Sequence, residues 1–132
     1  MKIRSKRGGS GLIETIMAAV VLVPIALLLV DLTVIIIGNS INDTAAKNAA
    51  RAGANQTDGG LAFAAAQLSL KTFKPSPIVS SLSISTFDYS VPNGNVTCKT
   101  QVVVKLPVPF PGCSSLTFDT QDVEPILAQQ QQ

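Results

Sequence analysis

The sequence predicts an α+β protein with one long N-terminal helix, a short second helix and a small antiparallel β-sheet of about three strands. Three observations predict this class. An apolar run of 26 residues, Leu12 to Ile37, lies close to the N-terminus. An alanine-rich segment with helical spacing follows it. Beyond Pro75 the pattern changes to apolar and polar residues in alternation, which is typical of strands.

The apolar run is long enough to cross a membrane. A helix needs ~20 residues to span ~30 Å of hydrocarbon, whereas the apolar part of a secretory signal has ~7–15 residues and precedes a cleavage site. No such site follows this run, which ends in "VIIIGNSIND". Proline is tolerated inside membrane helices, so Pro24 does not exclude one. The polar residues that interrupt the apolar run are Glu14, Thr15, Asp31 and Thr33. We therefore predict a transmembrane helix.

Charge predicts the orientation of that helix. Four of the ten Lys and Arg residues precede residue 10, so the rest of the chain has six basic and eight acidic residues, a net charge of −2. By the positive-inside rule, the N-terminus stays in the cytoplasm and the C-terminal part lies outside. A slightly acidic body argues against a nucleic-acid partner, because phosphate binding needs a basic surface.

The helix is predicted to continue outside the membrane. The segment Asn39 to Gln56 has small or apolar residues at helical spacing, and Gly53 with the glycines and polar residues after it favours an end there. A helix from about Ile13 to Ala54 follows, although Gly38 and Asn39 are compatible with a break. The regularly spaced residues are Ile41, Ala45, Ala49 and Ala52. Their small side chains suit close packing against other helices.

A second helix and three strands complete the prediction. The segment Gly60 to Phe73 is predicted to be helical and to stop before Pro75. Asn93-Gly94 predicts a tight turn between the first two strands, and "LPVPFPG" predicts a connector to the third. The tail, residues 129–132, is polar. Aligned apolar residues are Leu82 and Ile84 in the first strand, Val96, Cys98, Val102, Val104 and Leu106 in the second, and Leu116 and Phe118 in the third.

The residue inventory argues against an enzyme. The chain has no histidine and two cysteines, which removes the commonest general base and leaves too few ligands for a zinc site. No glycine-rich phosphate loop follows a strand. An enzymatic site would have to be built from carboxylates at spacings that form no recognised acid–base pair: Asp88, Asp119, Asp122 and Glu124. We therefore expect no catalysis, no cofactor and no metal.

The two cysteines are predicted to form a disulfide. Cys98 and Cys113 both lie outside the cytoplasm in the predicted topology, where oxidising conditions favour pairing. Closing a loop of this length stabilises a fold by ~3 kcal/mol in the chain-entropy model. The alternative is two unrelated buried thiols.

The N-terminal motif resembles the type IV pilin superfamily. A short basic leader ends at Gly9, a small residue follows at Ser10, and Glu14 lies five residues into the chain that a cut between them would leave. An acidic residue late in the apolar run (Asp31), then "NAARAGA", then a valine-rich strand before a proline connector, is similar to TadE-like pseudopilins of tight-adherence (Tad/Flp) pilus systems. The resemblance implies three regions: a prepilin-type leader 1–9, a helix 10–56 and an extracytoplasmic domain 57–132.

The resemblance also implies function and partners. A prepilin peptidase, which is an aspartyl peptidase of the inner membrane, would cut between Gly9 and Ser10. The processed chain would then serve pilus assembly or secretion as a minor subunit. Its partners would be other pilin or pseudopilin subunits through the N-terminal helix, the inner-membrane assembly platform and the lipid bilayer. The alternative is an unprocessed, signal-anchored protein whose extracytoplasmic domain binds or scaffolds another molecule.

Two acidic residues in the apolar run need a physical reason. A carboxylate near the interface costs less than the ~2.5–3.5 kcal/mol assigned to Asp at the membrane centre. In an assembly, the α-amine of a processed Ser10 would neutralise Glu14 of a neighbouring subunit. The alternative is that Glu14 reaches the cytoplasmic headgroups. For Asp31, pairing between helices and protonation both remain open.

Overall fold

The computed structural model describes residues 10–110 and 112–128, which form two helices and one three-stranded sheet. The predicted α+β class, with a long N-terminal apolar helix, is confirmed. The predicted leader, including Gly9, and the polar tail 129–132 lie outside the described residues. The elements are α1 (Ser10–Ala54), α2 (Gly59–Leu70), β1 (Val79–Ser90), β2 (Asn95–Phe110) and β3 (Cys113–Pro125).

Helix α1 is continuous over 45 residues, which corresponds to roughly 68 Å at ~1.5 Å per residue. It starts at Ser10, before the predicted Ile13, and ends at the predicted Ala54. Pro24 lies inside it, where a proline removes one backbone hydrogen bond. Gly38 does not interrupt the helix.

Two glycines of α1 let the sheet approach the helix closely. A Cβ atom at Gly38 would overlap a γ-methyl group of Val104 on β2. At Gly53, an added Cβ would lie 2.8 Å from Cζ of Phe87 on β1. At both positions the added atom would come closer than carbon atoms normally approach each other. A side chain at either glycine would therefore push the helix and the sheet apart.

Helix α2 begins at a polar cap and packs small residues inward. The side chain of Asp58 accepts hydrogen bonds from the backbone N–H groups of Gly60 (2.9 Å) and Leu61 (3.3 Å), which satisfies donors that a helix start leaves free. The helix ends at Leu70, three residues before the predicted end, and Phe73 N donates to Leu70 O at 3.0 Å in a following turn. Ala62 and Ala66 are its buried residues.

The sheet has the order β1-β2-β3, with both pairs antiparallel. The predicted turn at Asn93-Gly94 is confirmed: β1 ends at Ser90, β2 starts at Asn95, and Ser90 pairs with Asn95. Gly94 has φ of +64°, a conformation that favours glycine.

The predicted proline connector is wrong, because β2 runs through most of it. Strand β2 continues to Phe110, and β3 begins at Cys113. Strand β1 begins only at Val79, which pairs with Val104, and the last contact on that side of β2 is Lys105 N donating to Ile78 O at 2.8 Å. Pro107 therefore lies where β2 has no β1 partner, so its missing N–H group costs no ladder hydrogen bond.

The core lies between α1 and the sheet, and its contacts show the direction of α1 relative to β2. Three clusters of buried residues follow α1 from its middle to its end. The first joins Val34 to Val79, Val102 and Val104; the second joins Ala49 and Ala50 to Ala66 and Cys98; the third joins Ala54 to Val96 and Ile126. Helix α1 and strand β2 are therefore antiparallel, with the end of β2 directed toward the N-terminal half of α1.

Candidate assembly surface on the N-terminal helix

Residues 11–30 of α1, here called the apolar segment, form a surface that the rest of the described chain leaves uncovered. Every residue in it is exposed. The segment has 20 residues, or roughly 30 Å at ~1.5 Å per residue, which matches the hydrocarbon thickness of a bilayer. The helix is long and apolar enough to cross a membrane. Its exposed large side chains are Leu12, Ile13, Ile16, Met17, Val20, Val21, Leu22, Val23, Ile25, Leu27, Leu28, Leu29 and Val30.

Glu14 is the one charged residue of the apolar segment. It is exposed and follows Ser10, where the described part of α1 begins, by about one helical turn. It belongs to neither of the two ion pairs found among residues 10–110 and 112–128. Gly9, the other half of the predicted processing site, lies outside the described residues. The structure thus leaves the Glu14 carboxylate available to a group from elsewhere.

The two threonines of the predicted apolar run, residues 12–37, are compatible with an apolar environment. Thr15 Oγ1 donates to Gly11 O at 2.8 Å, and Thr33 Oγ1 donates to Leu29 O at the same distance. Because lipid offers no hydrogen-bond partners, polar groups in a membrane helix must be satisfied within the protein. Both hydroxyl donors meet that requirement through their own helix.

Asp31 marks the end of the apolar segment, and its partner comes from the sheet. It is 5% exposed and is the first buried residue along 11–54 of α1. Its Oδ1 accepts a hydrogen bond from Val108 N at 3.1 Å, and within the described part of the chain its Oδ2 has no partner. The sequence left two explanations for Asp31 open, pairing between helices and protonation. The structure adds a third, a hydrogen bond to the backbone of β2 in the same chain.

A buried polar network, which sequence reasoning missed, fixes α1 to the sheet. Asn42 is fully buried. Its Nδ2 donates to Phe118 O (3.0 Å) and Thr120 Oγ1 (3.1 Å), and Thr100 Oγ1 donates to Asn42 Oδ1 at 2.8 Å. One side chain thereby joins α1 to both β2 and β3. The available signal was Thr100, which falls on the apolar face of β2 between Cys98 and Val102.

The small-residue face of α1 is occupied by the chain's own fold. Ala45 and Ala49 are fully buried, and Ala49 packs against Ala66 of α2 and Cys98 of β2. The sequence predicted close packing of this face against other helices, and the helix that it meets is α2 of the same chain. Since the protein covers this face from within, the apolar surface of α1 left for other subunits is the apolar segment, with Leu32, Ile36 and Ile37 exposed just beyond it.

Charged residues line the exposed side of the C-terminal half of α1. Lys47 Nζ lies 2.8 Å from Asp43 Oδ2, and Arg51 Nε lies 2.8 Å from Glu124 Oε1 on β3. The hydrogen bond and the charge of Asp43 raise the pKa of Lys47, and those of Glu124 raise the pKa of Arg51. This flank is therefore polar and solvated, unlike the apolar segment.

The predicted disulfide between Cys98 and Cys113 is not formed, and both thiols are free. Cys98 is opposite Asp122 in the register of β2 and β3. Cys113 precedes Asp122 by nine residues on β3, which places the cysteines roughly 30 Å apart at ~3.3 Å per residue. A disulfide requires Cα atoms within about 7 Å. The thiols are separate, as in the alternative, but only Cys98 is buried and Cys113 is half-buried. Burial, then the charge of Asp122, raises the pKa of Cys98 to about 11.

The four carboxylates considered for a catalytic site do not converge. Asp88 and Asp119 are exposed, and Asp119 Oδ1 accepts a hydrogen bond from Gln101 Nε2 at 3.2 Å. Asp122 and Glu124 are half-buried, and Glu124 pairs with Arg51. Within the described ranges, no group of three or more His, Cys, Asp or Glu residues is placed to hold a metal ion.

Comparison with known proteins yields no relative: no protein-family model, no curated protein and no solved structure matches this chain.

Proposed function

We propose that this chain is a pseudopilin, or minor pilin-like component, of a tight-adherence (Tad/Flp) pilus assembly or secretion apparatus. The observation that carries the proposal is the apolar segment, which projects uncovered from a folded α+β domain that begins at Asp31. A surface of this size must be covered by something, since soluble proteins rarely expose large apolar patches. Lipid covers it before assembly, and the helices of neighbouring subunits cover it afterwards.

Processing by a prepilin peptidase between Gly9 and Ser10 would give the segment its register. The cut creates an α-amine on Ser10, one turn before the exposed Glu14. In a bundle of such helices, the amine of one subunit pairs with Glu14 of its neighbour. Opposite charges that leave water together stabilise each other, whereas either alone is costly in an apolar bundle.

The proposed location is the bacterial inner membrane, with the N-terminus in the cytoplasm and the domain outside. The partners are the prepilin peptidase, other pilin or pseudopilin subunits, the inner-membrane assembly platform and lipid. The chain acts by assembly in this proposal and needs no catalysis and no cofactor. The alternative hypothesis is an unprocessed, signal-anchored scaffold protein.

Three substitutions test the proposal by separating processing from assembly. Gly9→Leu places a bulky side chain at the cut, so the chain should remain uncut, about one kilodalton heavier by the mass of the leader. Glu14→Ala should still insert into the membrane and be cut, at least in part, but should not join the assembly. Glu14→Asp, which keeps the charge with a shorter reach, should be intermediate. Thr15→Ala is the matched control, because the Thr15 hydroxyl is already satisfied by Gly11 O.

The measurements are the intact mass of the membrane-extracted chain and crosslinking between subunits in cells with an active prepilin peptidase. A wild-type chain that still begins at Met1 would overturn the proposal in favour of the signal-anchored scaffold. If Glu14→Ala crosslinks to other subunits as well as the wild-type chain does, the glutamate has no role in assembly.

A further inference from the structure

The β2–β3 hairpin ends beside the point where α1 becomes uncovered. Val104 packs with Val34, and four residues later Val108 N donates to Asp31 Oδ1 at 3.1 Å. Strand β2 continues for two residues beyond Val108, which is roughly 7 Å at ~3.3 Å per residue. The end of the hairpin therefore lies alongside the last turn of the apolar segment.

A cleft between the hairpin and α1 shows the same overlap. It has a volume of about 290 Å³. Leu28 and Leu32 line it from the helix, and Leu106 and Leu116 line it from the hairpin, with Asp31 between them. Leu28 belongs to the apolar segment, so the two apolar surfaces are continuous.

The composition of the hairpin end fits lipid. The 13 residues 106–118 contain no charged residue, and Lys105 and Asp119 flank them. Pro107 is exposed, and so is Lys105 above it. An apolar end beneath an exposed lysine is the arrangement of proteins that enter the boundary between headgroups and acyl chains, where the amine meets lipid phosphate.

We propose that the hairpin tip, here residues 106–110 and 112–116, lies in the outer lipid interface of the membrane that the apolar segment crosses. Asp31 sets its height: the carboxylate holds Val108 where the helix leaves the hydrocarbon. With the outer boundary at Val30, the tip reaches the ~5–10 Å depth typical of interfacial elements. The domain thus rests on the membrane at two points, the helix and the tip. This inference rests on the membrane crossing in the proposed function.

Tryptophan fluorescence tests the tip, because the chain contains no tryptophan. Single substitutions of exposed residues in the full chain provide the probes: Pro107→Trp and Ser114→Trp at the tip, Leu22→Trp in the apolar segment and Val123→Trp at the far end of β3. The chain is placed in vesicles of phosphatidylcholine and phosphatidylglycerol. Bromine atoms near the headgroup end or near the methyl end of the acyl chains quench nearby tryptophan.

Bromine near the headgroups should reduce both tip signals by roughly half, as expected for ~5–10 Å of immersion. Leu22→Trp should respond most to bromine near the methyl end, and Val123→Trp to neither. If both tip probes behave like Val123→Trp while Leu22→Trp is quenched, the tip proposal is wrong and the membrane crossing stands. If Leu22→Trp is not quenched either, both are wrong. A tip signal that shifts to the blue only at high protein density, without bromine quenching, would show that a second copy covers the tip and would overturn the lipid assignment.

Discussion

The two halves of α1 belong to one unbroken helix but have opposite surroundings. From residue 11 to 30 every position is exposed, whereas from Asp31 onward the face toward the sheet is buried, including Val34, Gly38 and Asn42. The backbone hydrogen bonds are of the same kind in both halves. What differs is the size and polarity of the side chains, so the side chains decide which half the sheet covers.

The side chains of each half of α1 suit the surroundings of that half, which are lipid or neighbouring helices for the first and the sheet for the second. The apolar segment is rich in large aliphatic residues, which bury the most area in lipid or against neighbouring helices. The second half presents glycine and alanine to the sheet, which lets the layers approach closely, together with Asn42 for hydrogen bonds. Two variants and a change of pH test this division, in order of expected effect. Each uses the full chain in a mild detergent, with unfolding followed by far-UV circular dichroism.

Asn42→Ala should have the largest effect, lowering the free energy of unfolding by about 3 kcal/mol. The substitution removes the amide that donates to Phe118 O and accepts from the Thr100 hydroxyl, leaves that hydroxyl only the longer contact to the backbone oxygen of residue 42 (3.3 Å), and opens a cavity between helix and sheet. Asn48→Ala is the control, because Asn48 is exposed on the same helix and should change the midpoint little. Equal effects at both positions would contradict the structural role of the network.

Alkaline pH should give the next effect, through Cys98. Burial raises the pKa of this thiol from 9.0 to about 11. Between these pH values the unfolded chain releases the proton while the folded chain keeps it, so stability falls as pH rises. The loss should be about 2 kcal/mol. Denaturant titrations at pH 9 and pH 11 measure it. A Cys98→Ala variant should lack this component, and an identical pH dependence in both chains would show that the thiol is not protected.

Gly38→Ala should have the smallest effect, a loss of about 1–2 kcal/mol. Alanine favours a helix over glycine by ~1 kcal/mol, but the new Cβ overlaps Val104, and valine side chains adjust poorly. Gly11→Ala is the control, since nothing lies within 4 Å of its added Cβ. Stabilisation by both substitutions in thermal unfolding would mean that the close approach at Gly38 is absent.

Local pattern was sufficient to predict the elements of this fold. The length of the apolar run and its alanine-rich continuation predicted α1, and Asn93-Gly94 predicted the first hairpin turn. The end of α2 was misplaced because the prolines beyond it allow several stopping points. These are properties of neighbouring residues, which spacing and propensity report directly.

The errors concern residues whose surroundings come from distant parts of the chain. Asp31 and Val108 are 77 positions apart, and Asn42 and Thr100 are 58 apart. Pro107 favoured a connector, but β1 begins only at Val79 and does not extend alongside Pro107, so a proline in β2 loses no hydrogen bond there. The disulfide failed for a related reason: because β2 and β3 extend almost to the turn, each cysteine lies at a different end of the sheet.

The central claim is that α1 divides at Asp31 into a membrane half and a half packed on the sheet. Labelling of single cysteines with a membrane-impermeant maleimide tests it most directly, in a Cys113→Ser chain whose remaining Cys98 is buried. In vesicles permeabilised by a pore-forming toxin, Asn48→Cys should be labelled rapidly. Leu22→Cys should not react, although Leu22 is 62% exposed on the protein itself. Labelling of Leu22→Cys as fast as Asn48→Cys would show that water covers the apolar segment, and would contradict the account.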